Sequence, residues 1–524
     1  MNDPLADDLF TDAYRRLAGT LPAVAEPGAP ESPRPSVRER LVRCLWFDQS
    51  LTTDALRTVS GERVRVLSPG WWNLEKGPDF LKAALRIGRG ETQRGDVEVH
   101  VYASDWTRHG HQADPAYATV ILHVALWNDT DAAFVTNAAG QPVPMMELAP
   151  FVAGQLDELA ESVDPSDYPE LAETGGGACC QRLSAMPQAD DWLARFLDHA
   201  GDERILRKKE RFGNRLAGRT LDDVLFEGFA ENLGVKQNKS QMLQLARLAP
   251  YERLRAVATS SPDAAILRVQ AVLFGLSGLL PPDGASAAGE SDRSDLSDQS
   301  DLSDQSDPYV SSLVAAWQDA RPQFDATPMA AGQWRFSSTR PVNFPTRRIA
   351  ALGAIVAVSA ERGLLKTLLD TMGERPLDRA ARLRQLWSAW LENLPGGYWA
   401  THCVFGKKPF PRPMRLIGHD RAGAMIVDVI VPALLLHARE EEDVELERAL
   451  HRVFVSHPRL PESNVTRFME RRLFGVRGDR GKVIRGARRQ QGLYQLFRDC
   501  CEKGDLACRK CVLVAAVDRY GQSS

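Results

Sequence analysis

The chain has no uninterrupted run of the about 18 to 20 apolar residues that a membrane-spanning helix needs. Its most apolar stretch, AMIVDVIVPALLLHA, is broken by Asp428 and Pro432, so we expect it to be a buried segment. The N-terminus, MNDPLADDLF, is acidic and lacks the basic and apolar regions of a secretory signal. We therefore expect a cytoplasmic protein with no membrane partner.

Two common catalytic motifs are also missing. The sequence contains neither a GxxxxGK[ST] phosphate-binding loop nor a GxSxG nucleophile turn, which disfavours nucleotide hydrolysis and esterase chemistry. Cysteine is scarce, with eight among 524 residues. In a reducing compartment, cysteines that cluster indicate metal binding before disulfides.

The composition is that of a globular protein, with 44% hydrophobic and 26% charged residues. A chain of 524 residues exceeds one hydrophobic core, so we expect two or three domains. The net charge of −4 is dominated by residues 282–307, which carry eight acidic residues and one basic residue. The remainder has a net charge of +3, which is compatible with a DNA or RNA partner.

Residue patterns predict an α+β chain. Four segments, RVRVLSPG, LKAALRIG, GDVEVHVYA and ATVILHVALW, read as strands and follow a helix through VRERLVRCLWFDQSL. Later segments carry apolar residues at helical spacing. The predicted order is a disordered tail (1–37), a β-rich domain (38–155), a helical domain (156–281), a disordered acidic linker (282–307), a continued helical domain (308–463) and a basic cysteine-containing segment (464–524).

Histidines and carboxylates gather in the β-rich domain. Glu98 and His100 are two residues apart on a predicted strand, so their side chains share a face. Asp79 lies in GPDF, just before the preceding strand, and whether it reaches Glu98 is left open by the sequence. The remaining candidate metal ligands of this domain are His109, His111 and His123.

Pro78-Asp79 followed by Glu98-Val99-His100 resembles the core of the PD-(D/E)XK nuclease superfamily. The resemblance implies a restriction-endonuclease-like domain in which Asp79 and Glu98 hold Mg²⁺ or Mn²⁺ and a metal-bound water attacks a phosphodiester. His100 stands where that superfamily has lysine, and a histidine that titrates near neutrality can accept a proton.

Two other interpretations of the same residues stay open. The histidines together with Glu98 form a nitrogen and oxygen shell suited to Zn, Mn or Fe. Alternatively, the histidines only form hydrogen bonds with carboxylates such as Asp105 and Asp114 and stiffen a loop.

Three long segments, LSPGWWNLEKGPDF, GDVEVHVYASDWTRHGHQADPAYATVILHV and RPVNFPTRRIA, resemble a bacterial family defined as domain of unknown function 2851. The resemblance covers most of the chain from about residue 40, apart from the acidic insertion. It implies family membership and no particular activity.

The C-terminal CCEKGDLACRKC places Cys501, Cys508 and Cys511 at spacings that suit a Zn or Fe-S site, with a fourth ligand from Cys500, Cys403, His402 or elsewhere. Reduced thiols without a metal are the alternative. Two arginine-rich segments are candidates for phosphate binding. The candidate substrate-binding residues are Arg340, Arg347, Arg348, Arg477 and Arg485. A rigid turn around Asn343 and a solvated helix face are the alternative roles for these segments.

The leading hypothesis is a metal-dependent phosphodiesterase acting on nucleic acid, with Asp79, Glu98 and His100 as its catalytic residues. The alternatives are a non-catalytic nucleic-acid-binding or scaffold protein with a structural metal, and a Zn- or Mn-dependent hydrolase of a small substrate. The oligomeric state does not follow from these patterns.

Overall fold

Two compact units make up the chain. The computed structural model describes residues 9–19, 37, 39–49, 51, 56–73, 77–152, 178–186, 188–235, 238–261, 264–281, 307–336, 340–371, 380–407, 409–475, 480–501 and 511–523. The sheet unit comprises Pro22–Cys180 and Glu462–Val476, and the helical unit comprises Met1–Leu21, Gln181–Pro461 and Arg477–Ser524. The prediction of an α+β chain, with a mixed sheet followed by a mostly helical region, is confirmed.

The secondary structure of the described residues is as follows. The strands are β1 (Val64–Ser68), β2 (Trp71–Trp72), β3 (Phe80–Ile87), β4 (Gln93–Tyr102), β5 (Val120–Trp127), β6 (Phe134–Thr136) and β7 (Pro142–Glu147). The α-helices are α1 (Ala13–Gly19), α2 (Glu39–Asp48), α3 (Asp105–Arg108), α4 (Ala178–Ala185), α5 (Ala189–Arg215), α6 (Leu221–Leu233), α7 (Lys239–Leu248), α8 (Tyr251–Thr259), α9 (Ala265–Ser277), α10 (Pro308–Ala320), α11 (Pro345–Ser359), α12 (Leu364–Asp370), α13 (Ala380–Glu392), α14 (His419–Met425), α15 (Val431–Glu440), α16 (Val444–Val455), α17 (Asn464–Phe474), α18 (Arg480–Val483), α19 (Ala487–Asp499) and α20 (Val512–Ser523).

The seven strands form one sheet in the order β1-β3-β4-β5-β7-β6, and β2 pairs with β3 beside β1. β3 is antiparallel to β1 and β4, whereas β5 is parallel to β4 and β7. The four predicted strands correspond to β1, β3, β4 and β5. The sequence patterns missed β2 and β6 because they are very short, and β7 because its two prolines lack the N–H that a central strand donates.

Alternation along β4 gives the sheet two different faces. Val97 and Val99 are buried on one face with residues of β3 and β5, and helix α2 packs there through Val42 and Trp46. The other face of β4 carries Glu98 and, two residues on, His100. Glu98 and His100 therefore lie on the face opposite the one that α2 covers.

The connection between the parallel strands β4 and β5 crosses this second face. A parallel pair cannot be joined by a tight hairpin and needs a crossover of about a dozen residues or more. Here residues 103–119 form it, with α3 and a 3₁₀ turn at Pro115–Tyr117. Trp106 and Tyr117 are buried in a small cluster with Val120 and Val143, so the crossover is anchored close to the sheet.

The helical unit has its own large apolar core. The segment His419–Glu440 is long and apolar enough to cross a membrane by length and composition, yet 78% of its 18-residue window is buried inside the protein. It contains a π-helical turn at Ile426–Ile430 between α14 and α15. The buried position agrees with the expectation for AMIVDVIVPALLLHA.

Three of the predicted segments can be compared with the structure. Within the expected disordered tail, α1 is formed and both Phe10 and Tyr14 are buried, so the tail does not extend through this stretch. Residues 282–306 of the expected acidic linker lie outside the described residues, and Asp307 caps α10 by accepting a hydrogen bond from the Tyr309 N–H. The expected segment 464–524 is divided between the two units at Val476.

Candidate metal centre

Asp79 and Glu98 lie side by side, although the sequence left this open. The Asp79 N–H donates to Glu98 Oε2 at 2.9 Å, and the Val99 N–H donates to Asp79 Oδ2 at 3.1 Å. A bulge in β3 between Phe80 and Ala83 shifts the register against β4. Lys82, with a φ of 57°, lies in this bulge, and the irregularity lets the residue before β3 reach the middle of β4.

A guanidinium group from α2 completes the environment of Asp79. Arg43 Nη2 lies 2.8 Å from Asp79 Oδ1 and 2.5 Å from Glu39 Oε1. Both carboxylate oxygens of Asp79 therefore already have partners, namely Arg43 and the Val99 N–H. Glu98 differs, because only its Oε2 is used by the backbone.

Three imidazoles converge around His100 Nε2, and two of them also lie near the second oxygen of Glu98. His100 Nε2 lies 3.2 Å from both His109 Nδ1 and His111 Nε2. Glu98 Oε1 lies 3.3 Å from His111 Nε2 and 3.5 Å from His100 Nε2. Among the described residues, His100, His109 and His111 form the one group of three or more possible ligand atoms that all lie within 4.8 Å of one another.

These separations match those between the ligands of one small cation. Bonds of about 2.0 to 2.1 Å to a tetrahedral metal place neighbouring ligand atoms about 3.3 Å apart. Neutral imidazole nitrogens and a carboxylate oxygen are ligands that Zn²⁺, Mn²⁺ and Fe²⁺ accept. His100, His109 and His111 could therefore hold one metal ion, and Glu98, whose Oε1 lies near His100 and His111, could join them if its carboxylate moved toward the shared ion.

His123 stands behind this group and is not part of it. Its Nε2 lies 3.0 Å from His100 Nδ1. His123 on β5 is paired with Glu98 on β4, and His100 is the next residue along β4 on the same face. Its Nδ1 is buried without a hydrogen-bond partner among the described residues. If His100 Nε2 binds a cation, His100 Nδ1 must carry the proton and donate it to His123 Nε2.

Aromatic rings of the crossover wall the centre on one side. The Tyr117 ring stacks on His111 with centroids 3.8 Å apart, and Trp106 contacts His111 and His123 at 5.4 and 5.1 Å. His100, His111 and His123 are buried. His109 is exposed, so a ligand from solvent reaches the centre on the His109 side.

Burial shapes the protonation of the site. It raises the pKa of Glu98 to about 8 and, together with the neighbouring Glu98 carboxylate, raises the pKa of Asp79 well above its ordinary value. Burial also lowers the pKa of His100 and of His111, and lowers that of His123 to about 3. These three imidazoles are thus kept neutral, which is the form that binds metals.

The candidate substrate-binding arginines lie in the helical unit and not in this centre. Arg347 and Arg348 are buried, and their guanidinium groups donate to main-chain oxygens, including those of Arg415 and Leu416, at 2.9 Å each. These bonds fix the loop that precedes α14 and leave the two groups turned inward. Arg340 and Arg485 are exposed, and Arg477 lies outside the described residues.

The C-terminal cysteines are only partly described. Cys500 and Cys511 are buried, Cys501 is half-buried, and Cys508 lies outside the described residues. A hydrogen bond with Cys511 and burial raise the pKa of the Cys500 thiol. A metal site at these cysteines therefore stays a prediction.

Three contributors to the site were missed by the sequence patterns: Arg43, Trp106 and Tyr117. The spacing of Glu39 and Arg43 suggests only an ion pair along one helix. Nothing in the sequence indicates that this helix also brings Arg43 to Asp79. Trp106 and Tyr117 are close in sequence to the histidines, but their stacking depends on how the crossover folds.

Comparison with known proteins gives a family and no characterised relative. A family model described as "Protein of unknown function (DUF2851)" matches residues 39–463 of the chain. No curated protein matches the chain, and no solved structure matches it. The matched region includes every residue of the histidine centre and excludes the cysteines at 500–511.

Proposed function

The chain belongs to the DUF2851 family of proteins of unknown function, and we propose that it is a metal-dependent phosphodiesterase acting on nucleic acid. The observation that supports this proposal is the convergence of nitrogen atoms of His100, His109 and His111 within 4.8 Å of one another. Glu98 Oε1 adjoins two of them, at 3.3 Å from His111 Nε2 and 3.5 Å from His100 Nε2. A divalent cation bound there would act as a Lewis acid and lower the pKa of a coordinated water.

The proposal keeps two parts of the resemblance to PD-(D/E)XK nucleases and changes a third. Asp79 and Glu98 are neighbours, and His100 shares the Glu98 face of β4. However, the oxygens of Asp79 are held by Arg43 and the Val99 N–H. We therefore assign Asp79 to positioning Arg43 and the start of β3, and we assign the ligand role to Glu98 and the imidazoles.

This ligand set favours a transition metal over Mg²⁺, because Mg²⁺ prefers oxygen ligands and retains several waters. His100 then acts as a ligand, and His123 orients it. In the proposed reaction a water activated by the cation would attack a phosphodiester phosphorus, and the P–O bond to the leaving alcohol would break. The substrate would enter beside the exposed His109.

A second candidate function is a structural metal centre in a nucleic-acid-binding or scaffold protein. Structural zinc sites are closed, with four protein ligands, whereas catalytic sites keep a position for water. If Glu98 joined the three imidazoles, the four protein ligands would form such a closed site. In that arrangement catalysis would require that the metal accept a fifth ligand or that Glu98 release it when substrate arrives.

Metal analysis combined with cleavage assays tests the proposal. The purified protein should carry about one first-row transition metal per chain at this centre, and it should cut labelled DNA or RNA. Chelation should abolish cutting, and reloading with Zn²⁺ or Mn²⁺ should restore it. His111→Ala and Glu98→Gln should lose both metal and activity, whereas His419→Ala, which removes an exposed histidine of the helical unit, should lose neither.

The outcomes separate the two candidates. Metal binding that depends on His111 and Glu98, without cleavage of any nucleic acid, would favour the structural centre. Full metal content in both variants would exclude either function at these residues. Cleavage of small phosphodiesters or esters but of no nucleic acid would indicate a hydrolase of a small substrate.

A further inference from the structure

One end of the sheet presents a row of arginines. Arg65 on β1 lies directly opposite Arg86 on β3, and Arg94 on β4 lies opposite Ala84, two residues from Arg86. The side chains at these three positions are exposed. We call Arg65, Arg86 and Arg94 the arginine row.

The arginine row has no internal partner for its charge. Within the described stretches, none of its guanidinium groups has an ion pair or a side-chain hydrogen bond. Like charges placed directly opposite each other on neighbouring strands destabilise a sheet. The chain nevertheless keeps Arg65 against Arg86 in this position. An external anion would remove the repulsion.

The arginine row shares a face with the metal centre. Side chains two residues apart on a strand point the same way, so Arg94 and Glu98 lie on one face of β4. Four residues of strand separate them by about 13 Å. A polyanion bound along the row would therefore lead toward the centre.

An exposed tryptophan lies on the same face. Trp72 packs on Phe80 in the core, so its neighbour Trp71 points to the opposite side, where it pairs with Leu81 and is 75% exposed. A mostly exposed indole is a platform on which an unpaired base can stack. Residues 39–152 carry 11 basic and 14 acidic residues, so their total charge does not attract anions. An anion would be attracted by the local positive charge of the arginine row.

We propose that the arginine row and Trp71 form a binding surface for single-stranded nucleic acid, which the row holds by its phosphates and Trp71 by a stacked base. The surface deepens the proposed function and rests on it for the direction of the strand toward the metal centre. Binding itself does not require the metal chemistry.

Salt dependence of binding tests the arginine row. Full-length protein carrying Arg65→Gln, Arg86→Gln and Arg94→Gln together is titrated with a fluorescent oligothymidylate at several NaCl concentrations, and anisotropy is read. The slope of the logarithm of the association constant against the logarithm of the salt concentration should become shallower by about 2, since each of the three lost phosphate contacts on a single strand contributes about 0.7. Thermal melting should show no loss of stability, because the like-charge contact is gone.

A matched control removes the same charge elsewhere. Arg321, Lys366 and Arg382 are exposed residues of the helical unit, and the combined change of all three to Gln should leave the slope unchanged. An unchanged slope in the folded arginine-row variant would overturn the proposal. Equal losses in both triple variants would overturn it too, since the effect would then be one of total charge.

The stacking contact has its own test. Trp71→Ala should weaken binding of the single strand about 5- to 150-fold, whereas Phe134→Ala, which removes another exposed aromatic side chain of the sheet unit, should not. Unchanged affinity in Trp71→Ala, or equally tight binding of duplex DNA, would overturn the single-strand assignment. Cleavage is scored separately on gels, so binding without cutting would contradict the proposed function and leave this surface supported.

Discussion

Replacing His123 by leucine should weaken metal binding without removing a ligand. His123 is fully buried, and its Nε2 lies 3.0 Å from His100 Nδ1. When His100 Nε2 binds the metal, the Nδ1 proton needs this acceptor. Leucine fills much of the space but accepts no hydrogen bond, so the metal-bound state is left with a buried, unpaired N–H.

The size of the effect follows from that lost hydrogen bond. A buried donor without a partner costs about 1 to 3 kcal/mol, and each 1.4 kcal/mol is a tenfold change in affinity. We therefore expect the dissociation constant for Zn²⁺ to rise by about 5- to 150-fold. The metal-free protein should be affected less, because His100 can then place its proton on Nε2 and donate to His109 or His111.

Competition with a chromophoric chelator measures this change. His123→Gln, which brings an amide oxygen to the same region, should recover part of the affinity. His451→Leu, a change of a buried histidine in the helical unit, serves as the control and should bind metal as the unaltered protein does. Wild-type affinity in a folded His123→Leu protein would refute the assigned hydrogen bond, and so would equal weakening in His451→Leu.

Three further predictions concern the frame of the centre and the metal itself. Asp79→Asn should keep the metal stoichiometry at saturating metal but lower the melting temperature, because Arg43 loses the charge of a carboxylate 2.8 Å away; loss of the metal at saturation would instead make Asp79 a ligand. Metal removal should lower the melting temperature, and free metal at 100 times its dissociation constant should restore about 2.7 kcal/mol of stability; identical melting curves with and without metal would contradict the centre. Gly95→Ala would place its Cβ 2.4 Å from Ile121 Cγ2, so it should destabilise the β4–β5 pair by about 1 to 3 kcal/mol and reduce metal retention. Thermal melting and metal-content measurements check the two effects. Gly332→Ala, whose added Cβ would meet nothing within 4 Å, is the control and should show neither effect.

Regular parts of the sheet could be predicted from the sequence because alternation reports directly on burial. The pattern of β4 correctly placed Glu98 and His100 on one face. The contact of Asp79 with Glu98 could not be predicted, since it depends on the bulge at Lys82, where a backbone of positive φ replaces the regular strand. Alternation carries no information about such a local shift of register.

Charge patterns were less informative than strand patterns because they do not reveal whether a side chain points into the protein or toward solvent. Arg347 and Arg348 look like a phosphate clamp in the sequence, yet both turn inward to main-chain carbonyls. Arg65 and Arg86 are twenty-one positions apart and form no motif, and only the strand register brings them opposite each other. The location of a charged group thus depended on tertiary pairing in each case.

The uneven exposure of the centre bears on how an ion would leave it. His109 sits on the crossover at the surface, whereas His100 is held within β4. A chelator in solution would reach His109 first. A local opening of residues 103–119 would free His109 and His111 from the centre while β4 and β5 stay paired. Exchange of the ion should therefore proceed at the pace of that loop's motion, far faster than global denaturation.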